Sequence, residues 1–391
     1  MDESIVSIVR ADNYDHDEIH RAAVKGLELI GGLAKIVSPG SKVLVKINHV
    51  SPPSSAEKGL VTHPIFVEVI LDLLKEVGAD ITVGDDIESN SGDGFRVSGF
   101  RQMCERVGVR LINLRQAGFI EINCKGHFLE KIHLSRLAVD ADVIVNLPKL
   151  KTHSLTILTG GVKNMYGTIP GGLRRKFHGD YGRSEDFSQV LTDIFSVVKP
   201  QLTVMDGVIA MEGEGPASGS LRKLGIILTS HDTVALDAVA TRIIGLEPMD
   251  IHTTRYCHTR DLGVGSIKDI KVVGETTERV TVADFKPPAS ASSALIRRMP
   301  QFLSRFILDQ LSIRPYVIED NCTGCIECEK ICPIQAVAVN DKLARINRDI
   351  CIQCMCCHEV CRFNAITVKQ SVIGRVIQLL ARSIRQLMAT R

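Results

Sequence analysis

The sequence predicts an α/β protein, in which a large domain on a mostly parallel sheet is followed by a small α+β module rich in cysteine. Three observations lead there. Short apolar runs alternate with amphipathic stretches as far as about residue 283, a Pro/Ser/Ala-rich stretch follows, and nine of the twelve cysteines crowd into positions 322 to 361. Alternation of buried strands with amphipathic helices marks a parallel sheet, because each strand needs a crossover to return in the same direction. At 391 residues and 45% hydrophobic composition, the chain can fill two or three cores.

Val43 to Ile47, Asp80 to Val83, Val143 to Val145, Leu202 to Met205 and Leu224 to Leu228 read as short buried strands. Pro64 to Val77, Asp186 to Val198 and Thr233 to Ile244 read as helices, the last capped by Asp232. Ligands of such sheets gather beyond the carboxyl ends of the strands, so polar residues just after each strand are the first candidates. The expected division is a large domain at 1–285, a linker and amphipathic helix at 286–315, the cysteine module at 316–369 and a basic amphipathic helix at 370–391. Within 295–312, Phe302, Leu303, Phe306 and Ile307 face away from Arg297, Arg298 and Arg305. Ile373, Val376, Ile377, Leu380, Ile384 and Leu387 form a second stripe opposite Arg375, Arg382 and Arg385. Packing against the large domain or a second subunit is the expected use of both stripes, and peripheral membrane contact is the alternative.

A formal net charge of +2, from 47 basic and 45 acidic residues, gives no chain-wide attraction to nucleic acid. Aromatic content of 4%, without tryptophan, supplies no base-stacking platform. The N-terminus lacks the pattern of an export signal, and no apolar run reaches the roughly 18 residues of a membrane span. A cytoplasmic location is expected. Cysteines in that compartment stay reduced, so their crowding points to metal.

Cys322, Cys325, Cys328 and Cys332 follow C-x2-C-x2-C-x3-C, with Pro333 next, and Cys351, Cys354, Cys357 and Cys361 repeat the spacing 29 residues later. Three closely spaced thiolates can wrap one face of an iron–sulfur cubane while the fourth reaches the neighbouring cubane. The expected ligands are Cys322, Cys325, Cys328 and Cys361 for one [4Fe-4S] cluster, and Cys351, Cys354, Cys357 and Cys332 for a second. Zinc sites pair two C-x2-C knuckles instead. Residues 316 to 369 resemble a bacterial-type two-cluster ferredoxin, including a hairpin through Ala336–Val339 with a turn at Asn340-Asp341. Arg362 stands where that family has proline, and Cys356 is a surplus thiol.

In the large domain, the segments Asn146–His153 and Thr159–Gly167, together with Lys46-Ile47-Asn48, Met205-Asp206-Gly207, Glu212–Pro216 and Asp232–Asp237, resemble the DUF362 family, whose members often carry a fused ferredoxin-like module. The family's chemistry is unsettled, so the residues must suggest the site. Lys149, Lys151, Lys163, Asn164 and His178, with Lys46 and Asn48, are the candidate anion-binding set. Gly160-Gly161 would let backbone amides approach that anion. His153 is the candidate proton donor and Glu212 the candidate general base. Asp206, Glu212 and Glu214, read as a glycine-rich loop, are candidates for a divalent ion. No nicotinamide, flavin, P-loop or covalent haem motif occurs.

The expected function is an iron–sulfur oxidoreductase that relays single electrons from an external donor or acceptor protein to an anionic small molecule. The alternatives are a non-catalytic electron carrier docking another enzyme, and a metal- or cofactor-handling protein. A homo-oligomer is compatible with either.

Overall fold

The computed structural model describes residues 3–49, 54–87, 93–288, 314–332, 334–351, 356–361 and 363–369. Both arginine-rich stripes, Cys354, Pro333 and Arg362 lie outside the described residues. The large domain contains β1 (Ser4–Arg10), β2 (Lys42–Ile47), β3 (Asp80–Asp85), β4 (Arg110–Asn113), β5 (Phe119–Asn123), β6 (Lys131–Ser135), β7 (Val143–Leu147), β8 (Lys149–His153), β9 (Ile157–Thr159), β10 (Leu202–Glu212), β11 (Ser220–Ser230) and β12 (Ile270–Gly274). The small module contains β13 (Arg314–Val317), β14 (Val337–Asn340), β15 (Leu343–Ile346) and β16 (Ile366–Lys369).

One mixed, mostly parallel sheet runs in the order β12-β1-β11-β10-β7-β2-β3-β4, with β8 beside β10 and β9 beside β8. β11 runs antiparallel to both its neighbours, whereas β2, β3, β4, β7 and β10 are parallel. Helices cover both faces. His16–Leu29, Pro64–Glu76 and Phe100–Val107 close one core around Phe66, Ile70, Phe100 and Val145. Ser184–Val197 and Thr233–Ile243 close the other side around Phe187, Phe195, Leu236 and Val239. Side chains of this kind contribute about 1.5–3 kcal/mol each when fully buried. Among the described residues no helix is long and apolar enough to cross a membrane.

Two of the strands that carry candidate residues differ from expectation. Lys149–His153, expected only as candidate polar residues following the strand at Val143–Val145, forms β8, every residue of which is buried. β10 continues past Met205 to Glu212, so Asp206 and Glu212 lie in a strand, and only Glu214 lies in the loop that follows. Polar residues mask both strands because their side chains find partners inside the fold, Lys149 with Asp206, Lys151 with the Leu60 carbonyl and Glu212 with Lys286. Gly207 also serves the strand, since a Cβ there would press within 2.9 Å of the Ile226 carbonyl of β11.

In the small module β13 pairs with β16, bringing Arg314 opposite Lys369, and β14 pairs with β15. The turn after Asn340 has Asp341 at φ 51° and Lys342 at φ 61°. Two successive positive φ values match the right-handed twist of a two-residue hairpin. The short helices Glu327–Ile331 and Cys356–Val360 pack on each other.

Asp232 caps its helix as expected, accepting from the amides of Val234 (2.9 Å) and Ala235 (3.0 Å). The amides after Gly160 have a partner in the chain itself. Asp237 accepts from Gly161 N at 2.6 Å and Val162 N at 3.0 Å. Burial pushes its carboxyl up from the usual 3.8 to about 7, although both amides pull the other way. A raised folded-state value means that the contribution of Asp237 to stability is fully present below about pH 4 and is lost as pH rises through about 7. The wild-type melting temperature, measured relative to Asp237→Asn, should therefore be higher at pH 5 than at pH 8; a flat difference sinks the assignment.

Candidate functional site

Two polar clusters lie at the carboxyl ends of the parallel strands. In the first, Lys46 at the end of β2 is fully buried and its Nζ meets Asp85 Oδ1 of β3 at 2.9 Å. Its ammonium also donates to the Ile47 carbonyl at 2.7 Å and reaches Asn164 Oδ1 at 3.5 Å. Asn48 Nδ2 donates to the same Asn164 oxygen at 3.0 Å, and Asn164 Nδ2 donates to Asn146 Oδ1 at 2.7 Å. The next residue, Asp86, accepts from Arg115 Nε at 2.6 Å and Arg174 at 2.7 Å. Asp86 is fully buried, whereas these two arginines keep 40% and 24% exposure.

The second cluster joins β8 to β10. Lys149 Nζ lies 2.8 Å from Asp206 Oδ2 and donates to the Tyr14 hydroxyl at 2.6 Å. Tyr14 donates in turn to Asp206 Oδ1 at 2.8 Å, and its ring stacks on His63 at 3.7 Å. Segment 60–63 bridges the clusters. Leu60 O accepts from Lys151, Thr62 Oγ1 accepts from Asn48 N and donates to Leu147 O, and His63 N donates to Asp206. Burial lowers Lys46 and Lys149 below the ordinary lysine range, opposed by Asp85 and Asp206 respectively. Burial, then the charge of Asp206, raises the Tyr14 hydroxyl.

The expected anion set therefore divides. Lys46, Asn48 and Asn164 meet in one cluster, Lys149 belongs to the other, and Lys151 lies against the bridging segment. Lys163 is half-buried on the short helix Gly161–Asn164. His178 sits elsewhere, stacked on Phe187 at 4.3 Å and edge-on to Tyr166. All four cations are paired with carboxylates of the chain, and Arg115 and Arg174 are the better exposed of them.

His153 is fully buried, and its Nδ1 accepts from the amides of Leu155 (3.1 Å) and Thr156 (3.3 Å). The proton of the neutral ring is thereby assigned to Nε2. Glu212 Oε2 accepts from Lys286 N at 3.0 Å, with Lys286 Nζ 3.6 Å from Oε1, so Glu212 anchors the chain where it leaves the large domain. The divalent-ion set is pulled apart in the same way, Asp206 toward Lys149 and Glu212 toward Lys286. Among the described residues no three His, Cys, Asp or Glu side chains converge on one metal ion.

Sequence reasoning missed Tyr14, His63, Arg115 and Arg174. Tyr14 carried a signal, because it follows β1 by four residues, where loops leave strand ends. The arginines carried none, because their partner Asp86 is distant in sequence.

In the small module, Cys322, Cys325, Cys328 and Cys361 line one cavity together with Gly324, Ala344 and Ile366. Burial, then the nearby Cys325, Cys361 and Cys322, pushes the Cys328 thiol up to about 11. Backbone amides point at sulfur: Ala344 N to Cys322 (3.4 Å), Ala365 N to Cys361 (3.3 Å) and Ala336 N to Cys332 (3.1 Å). Such bonds stabilise thiolate, the form that binds iron. A cubane needs four thiolates on four separate irons, and this cavity's donor set fits that demand. Of the second set, Cys332 and Cys351 are half-buried, Cys357 is buried, and Cys354 lies outside the described residues. Cys356 is buried beside Cys357.

Fold and site together define an α/β domain with buried, ion-paired polar clusters, joined to a small cysteine module. The chain belongs to the family of the domain of unknown function DUF362, whose profile matches residues 43–242. A thylakoid-associated protein of Synechocystis sp. (strain ATCC 27184 / PCC 6803 / Kazusa) is 31% identical over 250 residues, covering 63% of this chain and 77% of that protein. Among solved structures, the lactate racemase apoprotein of Thermoanaerobacterium thermosaccharolyticum aligns with a TM-score of 0.40 and 14% identity, over 59% of this chain and 54% of its own. A Thermotoga maritima protein aligns with a TM-score of 0.37 and 16% identity, over 57% of each chain. This chain thus spans little more than half the length of those two proteins.

Breaking a buried ion pair strands its partner. Lys149→Met should cost about 3–5 kcal/mol, while Lys149→Met with Asp206→Leu should recover most of the loss. Urea unfolding of the two variants measures this, and equal losses would refute the pairing.

Proposed function

We propose that this chain is an iron–sulfur protein that exchanges single electrons with an external carrier protein through two [4Fe-4S] clusters held by the small module. When bound, the clusters supply one-electron oxidation and reduction. The observation that carries this reading is the cavity shared by Cys322, Cys325, Cys328 and Cys361, since the fourth cysteine comes from the second motif. The amides of Ala344 and Ala365 stabilise two of those thiolates, and the apolar Val339, Ala344 and Ile366 limit water. The proposed second set is Cys351, Cys354, Cys357 and Cys332. Any anionic small molecule acted on by the large domain would meet the partly exposed Arg115 and Arg174, which share Asp86, before the fully buried Lys46 or Lys149.

Anaerobic reconstitution with iron and sulfide should give a brown protein holding about eight irons per chain. Cys322→Ser and Cys361→Ser should each lose about four, and the double variant no more than about four, because both sulfurs serve one cluster. Loss of all iron in that double variant would overturn the crossed ligand set, and a colourless wild-type chain would overturn the function.

We also propose contact with an anionic membrane surface. Support comes from the Arg314–Lys369 register, which sets the two ends of the module side by side, and from the sequence of 289–313 and 370–391, where arginines and apolar residues recur at helical spacing. The thylakoid-associated relative agrees with it. The full chain should float with vesicles of acidic phospholipid, and not with zwitterionic vesicles, and should be released by salt. Equal flotation with both lipids would refute the electrostatic contact.

A further inference from the structure

We propose that the tip of the β10–β11 hairpin, Gly213–Gly219, transmits the state of the cysteine module to β8, and that His358 is the positioning residue that makes the link. The inference rests on the cluster reading above.

His358 is fully buried in the short helix Cys356–Val360, next to the proposed ligand Cys357. One ring nitrogen, Nδ1, lies 2.8 Å from the Ile366 carbonyl of β16, within the module. The other, Nε2, lies 3.2 Å from the Glu214 carbonyl, in the hairpin tip of the large domain. A second contact flanks it, because Ser218 Oγ donates to Asn364 Oδ1 at 3.2 Å. The module thus grips the tip at two points, one partly buried and one exposed.

The tip's other side is held by the strand that carries Lys149, Lys151 and His153. Gly215 O accepts from Ser154 N at 2.9 Å and from Ser154 Oγ at 2.6 Å. Gly215 N lies 3.3 Å from Thr152 Oγ1, and a Cβ on Gly215 would overlap the Thr152 carbonyl. No side chain could fit between tip and strand, so the contact has little slack. The base of the tip is pinned as well, since Gly213 N donates to Lys286 O at 2.6 Å.

An unbroken run of bonded neighbours therefore leads from Cys357 through His358, Glu214 and Gly215 to Ser154. Drawing Cys357 onto a cluster restrains its helix, and His358 passes the restraint to the tip. The two states required of any such coupling are the cluster-loaded and cluster-free forms of one chain. Cluster loading then sets the rigidity of β8.

The test is hydrogen–deuterium exchange of the full chain, with iron counted on the same samples. Loading the wild type should slow exchange in 151–156 and 213–219 by about tenfold, within the usual range of coupling energies. His358→Phe keeps a ring and offers no donor, so its effect should fall below about twofold at unchanged iron content, with His358→Gln intermediate. Ser154→Ala removes a bond on the far side, so loading should still slow 213–219 and act more weakly on 151–156. This second variant decides the matter should His358→Phe fail to fold. A wild type that holds its iron with no change in exchange overturns the link alone, as does an undiminished effect in both variants. A wild type that takes up no iron overturns the cluster reading, and the link with it.

Discussion

Burying an ammonium among strand ends is costly unless an anion lies beside it, and the large domain places one beside Lys46 and one beside Lys149. Removing an ammonium from water costs several kcal/mol, even after relaxation. Asp206 meets the cost for Lys149, and Asp85 meets it for Lys46. Other features follow from these pairs. β10 must run beyond Met205 to present Asp206, β8 must lie against β10 to present Lys149, and segment 60–63 must cross both. Tyr14 closes the second pair from the β1 side, with its hydroxyl accepting from the lysine and donating to the carboxylate.

The same constraint explains what the sequence could and could not convey. Strands such as Val43–Ile47 and helices such as Pro64–Glu76 announce themselves by apolar runs, and the structure has them within a residue or two. Lys149-Leu150-Lys151-Thr152-His153 looks like a solvated loop because a charge on its own implies water. Its strand character depends on Asp206, 57 positions away, which local pattern cannot reveal. Gly160-Gly161 misleads in a related way. Its free-looking amides did point to an acidic partner, but that partner is the buried carboxyl of Asp237 of the same chain.

Cysteine spacing is more informative, because a repeated C-x2-C-x2-C-x3-C run can be read whatever the surrounding fold. Cys322, Cys325 and Cys328 lie on one short segment, and placing Cys361 with them requires only that the helices Glu327–Ile331 and Cys356–Val360 pack together. The contact from His358 to Glu214 was not legible, because no repeat or periodicity marks it. It depends on the reach of a hairpin whose length was itself hidden by Asp206.

The pairing of β13 with β16 has an evolutionary corollary. Arg314 and Lys369 face each other, so the chain enters and leaves the cysteine module at neighbouring points. A unit whose two ends adjoin can be spliced into a host, or removed from it, with little disturbance of the host's own chain path. Removal of residues between Arg314 and Lys369 would therefore leave the path of the DUF362 sheet unchanged and expose the hairpin tip that His358 and Asn364 now touch.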